Sequence, residues 1–145
     1  MKITLRTLGY AGLIPFVALP LLQVTGSAAT ALPPITLFSF YSVVILGFMA
    51  GVLWPARAAE SAHGTLAWLA VTPPVVGFLT LAFFPGVFLW VQLLLFLALR
   101  AAEMRLQFDR HYAPYYRTLR WHLTIVVVAC HVWMIALSGS GFTLN

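Results

Sequence analysis

The chain predicts an all-α integral membrane protein: one domain over residues 1–145, a five-helix transmembrane bundle with N-terminus in and C-terminus out. Three observations predict it. Only 8% of the residues are charged and the mean hydropathy is +0.97, whereas soluble domains carry about 25% charged residues. Five apolar runs approach the roughly 20 residues a bilayer span demands. All eight Lys and Arg fall on one side of the bilayer when the runs cross it in alternation, which by the positive-inside rule is the cytoplasmic side.

The first span, 8–24, follows Lys2 and Arg6 and contains Pro15 and Pro20, which remove backbone donors and bend a helix. A basic start, an apolar centre and the small residues 26–31 also resemble a cleavable signal sequence. The run has the length of a span, so retention is expected. The second span, 35–54, follows Pro33-Pro34 and contains Gly47 and Gly51 in GxxxG spacing. Such spacing puts both glycines on one face and permits close backbone approach. Phe40, Val44 and Trp54 fall near that face, which serves either packing against a neighbouring helix or a homodimer seam.

The loop 55–64 carries Arg57, Glu60 and His63. In the third span, 65–84, Pro73 and Pro74 remove two consecutive amide donors, so a kink or break is expected there. Pro85-Gly86 is a turn signal that folds the fourth span, 87–103, back as a tight antiparallel hairpin. Its helix is expected to continue to Asp109, with Arg105 and Asp109 paired four residues apart, and to stop before Pro114. Tyr115, Tyr116 and Trp121 form an aromatic cluster of the kind that rests at headgroup level. The fifth span is 119–138.

Seven of the eleven charged residues lie between Arg100 and Arg120. Arg100, Arg105, Arg110 and Arg117 make the loop 104–118 and its flanks a cytoplasmic basic anchor. The same segment opens a polar ladder. At 100° per residue, Arg120, Thr124, His131 and Ser138 share one stripe of the fifth helix. Gln92 and Glu103 share a face of the fourth. If the two antiparallel helices are neighbours, Glu103 meets Arg120 at the inner boundary. Gln92 then lies level with His131 about 16 Å deeper, at 1.5 Å per residue. Polar groups at that depth face the bundle interior and need partners.

The structural reading of the ladder is an interhelical hydrogen bond that fixes register. The functional readings are a proton-active or ligand-binding His131 or, in a dimer, a haem ligand. No CxxC, HxxxH, Walker or GxSxG pattern occurs, and no carboxylate pair lies within a span. Cys130 is the single cysteine and has no intramolecular partner. A net charge of +5 does not point to nucleic acid, because the basic residues border apolar runs instead of forming a solvated patch. No cofactor, metal site or enzymatic activity is expected.

The segment 41–54, Tyr-Ser-Val-Val-Ile-Leu-Gly-Phe-Met-Ala-Gly-Val-Leu-Trp, resembles the YGAVILSFLGG..W signature of a small multi-span membrane-protein family of unknown function that includes the mitochondrial transmembrane protein 69. The segments 8–16 and 115–124 are similar to that family as well, so the likeness runs over nearly the whole chain. It departs at Ser42, Ala50 and Pro55. The resemblance implies the same helical architecture and brings no reaction or catalytic residue with it.

The expected function is therefore that of an accessory or assembly component of a larger membrane complex, held by the lipid bilayer and by a membrane-protein partner or a second copy. The alternatives are a small transporter or channel subunit that uses the Pro73-Pro74 break and His131, and a membrane redox or haem protein. The expected location is a bacterial inner (plasma) membrane, with the mitochondrial inner membrane as the alternative.

Overall fold

The structure is a computed structural model that describes residues 2–26, 28–53, 64–107, 110 and 113–139. Trp54, Arg57, Glu60, His63, Asp109 and His111 lie outside the described residues, and with them the Arg105–Asp109 pair and most of the loop 55–64.

The first apolar run forms two helices, α1 (Lys2–Ala11) and α2 (Ile14–Thr25). They part at Gly12-Leu13, just ahead of Pro15, which has no N–H to continue the ladder. Tyr41 Oη donates to the Gly12 carbonyl at 2.7 Å, so a backbone oxygen at the break has a partner, as an apolar medium requires. Pro20 sits inside α2 without ending it. Gly26 closes α2 in the left-handed region at φ 61°, its N–H on the Leu22 carbonyl, a conformation that glycine adopts without a Cβ penalty.

α3 (Pro34–Gly51) opens on a proline, which is tolerated at the first helical position because its missing donor would be unpaired there anyway. α4 (Gly64–Phe83) runs through Pro73 and Pro74 as one helix, so the expected break does not occur. Packing on both sides holds the segment. A Cβ on Gly47 of α3 would lie 3.8 Å from the Pro74 Cβ, and Gly77, one turn on, lies directly under the side chain of Gln92.

A 3₁₀ turn, Pro85–Val87, leads into α5 (Phe88–Arg105). α5 ends short of Asp109, and the chain turns with Gln107 at φ 57°. α6 (Pro114–Gly139) starts at Pro114 and not near 119, so the proline that was expected to stop one helix begins the next.

Each helix packs on the next in sequence from α2 to α6. α6 then returns to α2, α3 and α5 touch across the ring, and α1 lies along α6. At the last contact, a Cβ on Gly9 would stand 2.8 Å from Leu119 Cδ2. Phe16, Phe38, Leu46, Phe96, Val127 and Met134 fill the centre. Four stretches, Arg6–Thr25, Pro34–Gly51, Pro85–Arg105 and Pro114–Gly139, are long and apolar enough to cross a membrane, with mean hydropathies of 1.6 to 1.8. The apolar stretch of α4, Ala67–Phe83, is shorter. Among the described residues the chain is all-helical, with the helices of a multi-pass membrane protein.

Candidate functional site: the buried polar core

His131 is fully buried near the middle of α6. Its Nδ1 lies 2.8 Å from the Val127 carbonyl and its Nε2 2.8 Å from Ser42 Oγ. A carbonyl only accepts, so Nδ1 carries the proton and donates, and Nε2 accepts from the Ser42 hydroxyl. That arrangement fixes one neutral tautomer and ties α6 to α3. Three phenyl rings close around the imidazole: Phe38 at 4.9 Å between centroids, Phe96 at 5.4 Å and Phe16 at 5.9 Å. They come from α3, α5 and α2. With both nitrogens engaged and rings on three sides, His131 is a packed structural imidazole. It offers no free nitrogen to a haem or metal in this arrangement.

Three helices meet at a second cluster. Glu103 of α5 is fully buried and bridges two guanidiniums. Arg100 Nη1 donates to Glu103 Oε2 at 3.0 Å, and Arg120 Nη2 of α6 contacts Glu103 Oε1. Arg120 Nη2 also donates to the Met49 carbonyl at 3.3 Å. Met49 lies in the last turn of α3, where carbonyls have no intrahelical donor. The Arg120 guanidinium therefore sits at the C-terminal end of α3, where the helix dipole favours positive charge. The Arg100 guanidinium also lies 4.5 Å over the Trp121 ring, a cation–π contact. The triad carries a formal charge of +1 in a nearly solvent-free setting, since Arg100 and Arg120 are 3% and 2% exposed.

The chain thus brings Glu103 and Arg120 together and leaves Gln92 and His131 apart. Phe96, one turn along α5 from Gln92, takes the place against His131. Gln92 turns towards α4 instead, where a Cβ on Gly77 would come within 2.7 Å of Gln92 Oε1. It is fully buried, and neither its amide oxygen nor its amide nitrogen has a hydrogen-bond partner among the described residues. A neutral amide in an apolar bundle gains little from any one partner, so packing decides where it points.

Arg100 was expected among the basic loop residues. It lies inside, because the Glu103 carboxylate one turn away and the Trp121 ring both hold it. Arg105, Arg110 and Arg117 are exposed. Of the GxxxG pair, Gly47 faces Pro74, whereas Gly51 is exposed with open space where a side chain would go. Phe40 and Val44, on the same face as Gly51, are also exposed. That face points out of the bundle and leaves Gly47 as the glycine in close helix contact.

Sequence reasoning missed Ser42 as the partner of His131 and the Met49 carbonyl as a partner of Arg120. The first had a signal: two serines, Ser39 and Ser42, lie three apart in an otherwise apolar run, and both are buried. Ser39 satisfies itself on the Ile35 carbonyl at 2.9 Å, which leaves Ser42 to reach another helix. Backbone acceptors carry no sequence signal. Among the described residues no group of three His, Cys, Asp or Glu is placed to hold a metal ion.

No curated protein and no solved structure matches the chain. Residues 1–136 match the model of a family described as protein of unknown function (DUF3429), and the chain belongs to that family.

Proposed function

We propose that the chain is a non-enzymatic accessory or assembly component of a larger complex in a bacterial inner membrane, with its N-terminus and the loop after α5 in the cytoplasm. The resemblance to the family of the mitochondrial transmembrane protein 69 makes a mitochondrial inner membrane, with the matrix in place of the cytoplasm, the alternative location. The observation that carries the reading is the side-chain distribution on α4. It buries its small residues, Ala70, Pro73 and Gly77, and presents Trp68 and Phe83 outward at 74% and 71% exposure, with Phe78 also exposed. Helices that pack in membranes put small residues at their contacts, so α4 is satisfied on its inner side. Its outer side offers large rigid aromatics of the kind that anchor protein interfaces.

The polar core supports the same reading. The side chains that would do chemistry in a transporter or a redox protein, His131, Glu103 and Arg120, are spent on holding helices together. The test is photo-crosslinking from residues 68, 78 and 83 in native membranes, followed by purification in a mild detergent. A single protein adduct of defined mass at all three positions is expected, and its loss when Trp68 and Phe78 are both alanine. Lipid adducts alone, with the chain purifying as an isolated monomer, overturn the proposal. The orientation is tested separately by a reporter fused after Asn145, expected to be active only outside the cytoplasm.

A further inference from the structure

A lateral groove of about 330 Å³ lies between the α1–α2 break, α3 and the first half of α6. Its wall along α6 runs from Tyr116 to Val127, which is about 16 Å at 1.5 Å per residue. Leu8 and Phe48, both largely exposed, form its lips, and Leu119, Met49 and Val127 its buried floor. The lining residues are apolar apart from Tyr116 and one charged side chain. Arg120 lines the groove, and its Nε–H is buried without a hydrogen-bond partner among the described residues. Its Nη2 is engaged by both Glu103 and the Met49 carbonyl, and the unmet buried donor is Nε.

Two further cations stand at the level of one end of this groove, outside its lining. Gly9 packs on Leu119, which sets the register of α1 against α6. Arg6 precedes Gly9 by three positions and Arg117 precedes Leu119 by two, so both reach roughly the level of Tyr116, at the mouth. Both are exposed. Arg120 follows Arg117 by three positions, about 4.5 Å deeper, and the Arg100–Glu103–Arg120 triad behind it keeps a net positive charge.

We propose that the groove is a site for one anionic glycerophospholipid of the surrounding bilayer. Its phosphate meets Arg6 and Arg117, an ester carbonyl accepts from Arg120 Nε–H one step deeper, and one acyl chain lies along the apolar wall between α1 and α3. This goes beyond an accessory role and does not depend on one. The order of groups by depth, two exposed cations, then a single buried donor, then only carbon, matches the order of groups down a glycerophospholipid. A free phosphate has nothing to place in the apolar half. A free fatty acid would put its carboxylate at Arg120 and leave the two outer arginines unused.

The full-length chain, purified in mild detergent, is offered dipalmitoyl phosphatidylglycerol, phosphatidylcholine with the same chains, and the diether analogue of phosphatidylglycerol. Bound lipid is counted by native mass spectrometry. Phosphatidylglycerol is expected to be retained at one per chain in preference to phosphatidylcholine. Arg6→Gln and Arg117→Gln should each lower that preference about fivefold, the usual worth of one basic residue near an anionic headgroup. The diether lipid, which lacks carbonyls, should bind several-fold more weakly than the diester. Leu123→Trp and Ile45→Trp fill the groove from opposite walls and should abolish retention, while Leu94→Trp, on an exposed face of α5, should not. Equal retention of phosphatidylglycerol and phosphatidylcholine by the unaltered chain overturns the proposal even if the filled variants fail to fold. Retention that Leu94→Trp abolishes as fully as Leu123→Trp overturns the placement, and palmitate competing at equimolar amounts overturns the choice of a diacyl lipid.

Discussion

Two buried polar rungs on the same pair of helices, Glu103/Arg120 and Gln92/His131, have the same spacing in sequence and opposite fates in the fold. The charged rung forms; the neutral one does not. The difference lies in what each group loses by failing to find its partner. An ion left alone in an apolar interior costs several kcal/mol. Long flexible arginines are therefore drawn to a carboxylate in reach, and Glu103 collects both Arg100 and Arg120. A neutral interhelical hydrogen bond in a membrane contributes only about 0.6 kcal/mol on average. At that scale ring packing wins: Phe96 takes the place against His131, and Ser42 supplies the imidazole's partner from a third helix.

The comparison breaks first at Glu103. Replacing it with alanine removes the carboxylate that both buried guanidiniums share and should lower stability by about 3–5 kcal/mol, read as a large fall in Tm in detergent. A small change would mean that the arginines reach water and that the cluster is not a buried charged site. Next comes Ser42→Ala, which removes the donor to His131 Nε2 and strands a buried acceptor, at a cost of about 1–2 kcal/mol. If Ser42→Ala is neutral while Gln92→Ala is costly, His131 pairs with Gln92 after all and the two rungs are alike.

Gln92→Leu should go the other way. It replaces an unpaired amide with an apolar group of similar size, and a gain of about 1 kcal/mol is expected in the same melting assay; a loss would reveal a partner for the amide. The smallest effect is the sharpest in geometry. Gly77→Ala pushes a methyl against Gln92 Oε1, which a flexible side chain can evade, so a loss of about 0.5 kcal/mol is expected. That loss should vanish in the Gln92→Ala background, and its persistence would place the two residues apart.

The helices themselves were legible. Apolar runs and Pro or Gly punctuation located the apolar helices, though not the division of the first run into α1 and α2, and helix spacing located the buried faces that carry Glu103, Arg120 and His131. Helix ends were less legible where an ordinary residue turns the chain. Gln107 takes a left-handed conformation usually given to glycine or asparagine, so nothing in its type announces the end of α5. Pro114 is compatible with stopping a helix or starting one, and only the structure decides. Partner identity was least legible. A face angle says that Gln92 points inward but not whether it meets α6 or α4, because that depends on how α5 is rotated against both. Ser42 stands where the resembled signature has glycine, so that departure coincides with the missing partner of His131.

The tie between α1 and α6 has a consequence for how the protein is made. Gly9 seats on Leu119, and Tyr10 Oη lies 2.7 Å from His122 Nδ1. α1 thus takes its contacts from α6, a helix made only after the four that lie between them. Tyr41, which caps the joint at Gly12, arrives only with the second span. The α1–α2 segment is therefore made with its bend unsupported and waits for partners that come later in the chain. Its own apolar length has to keep it in place until α6 closes the ring.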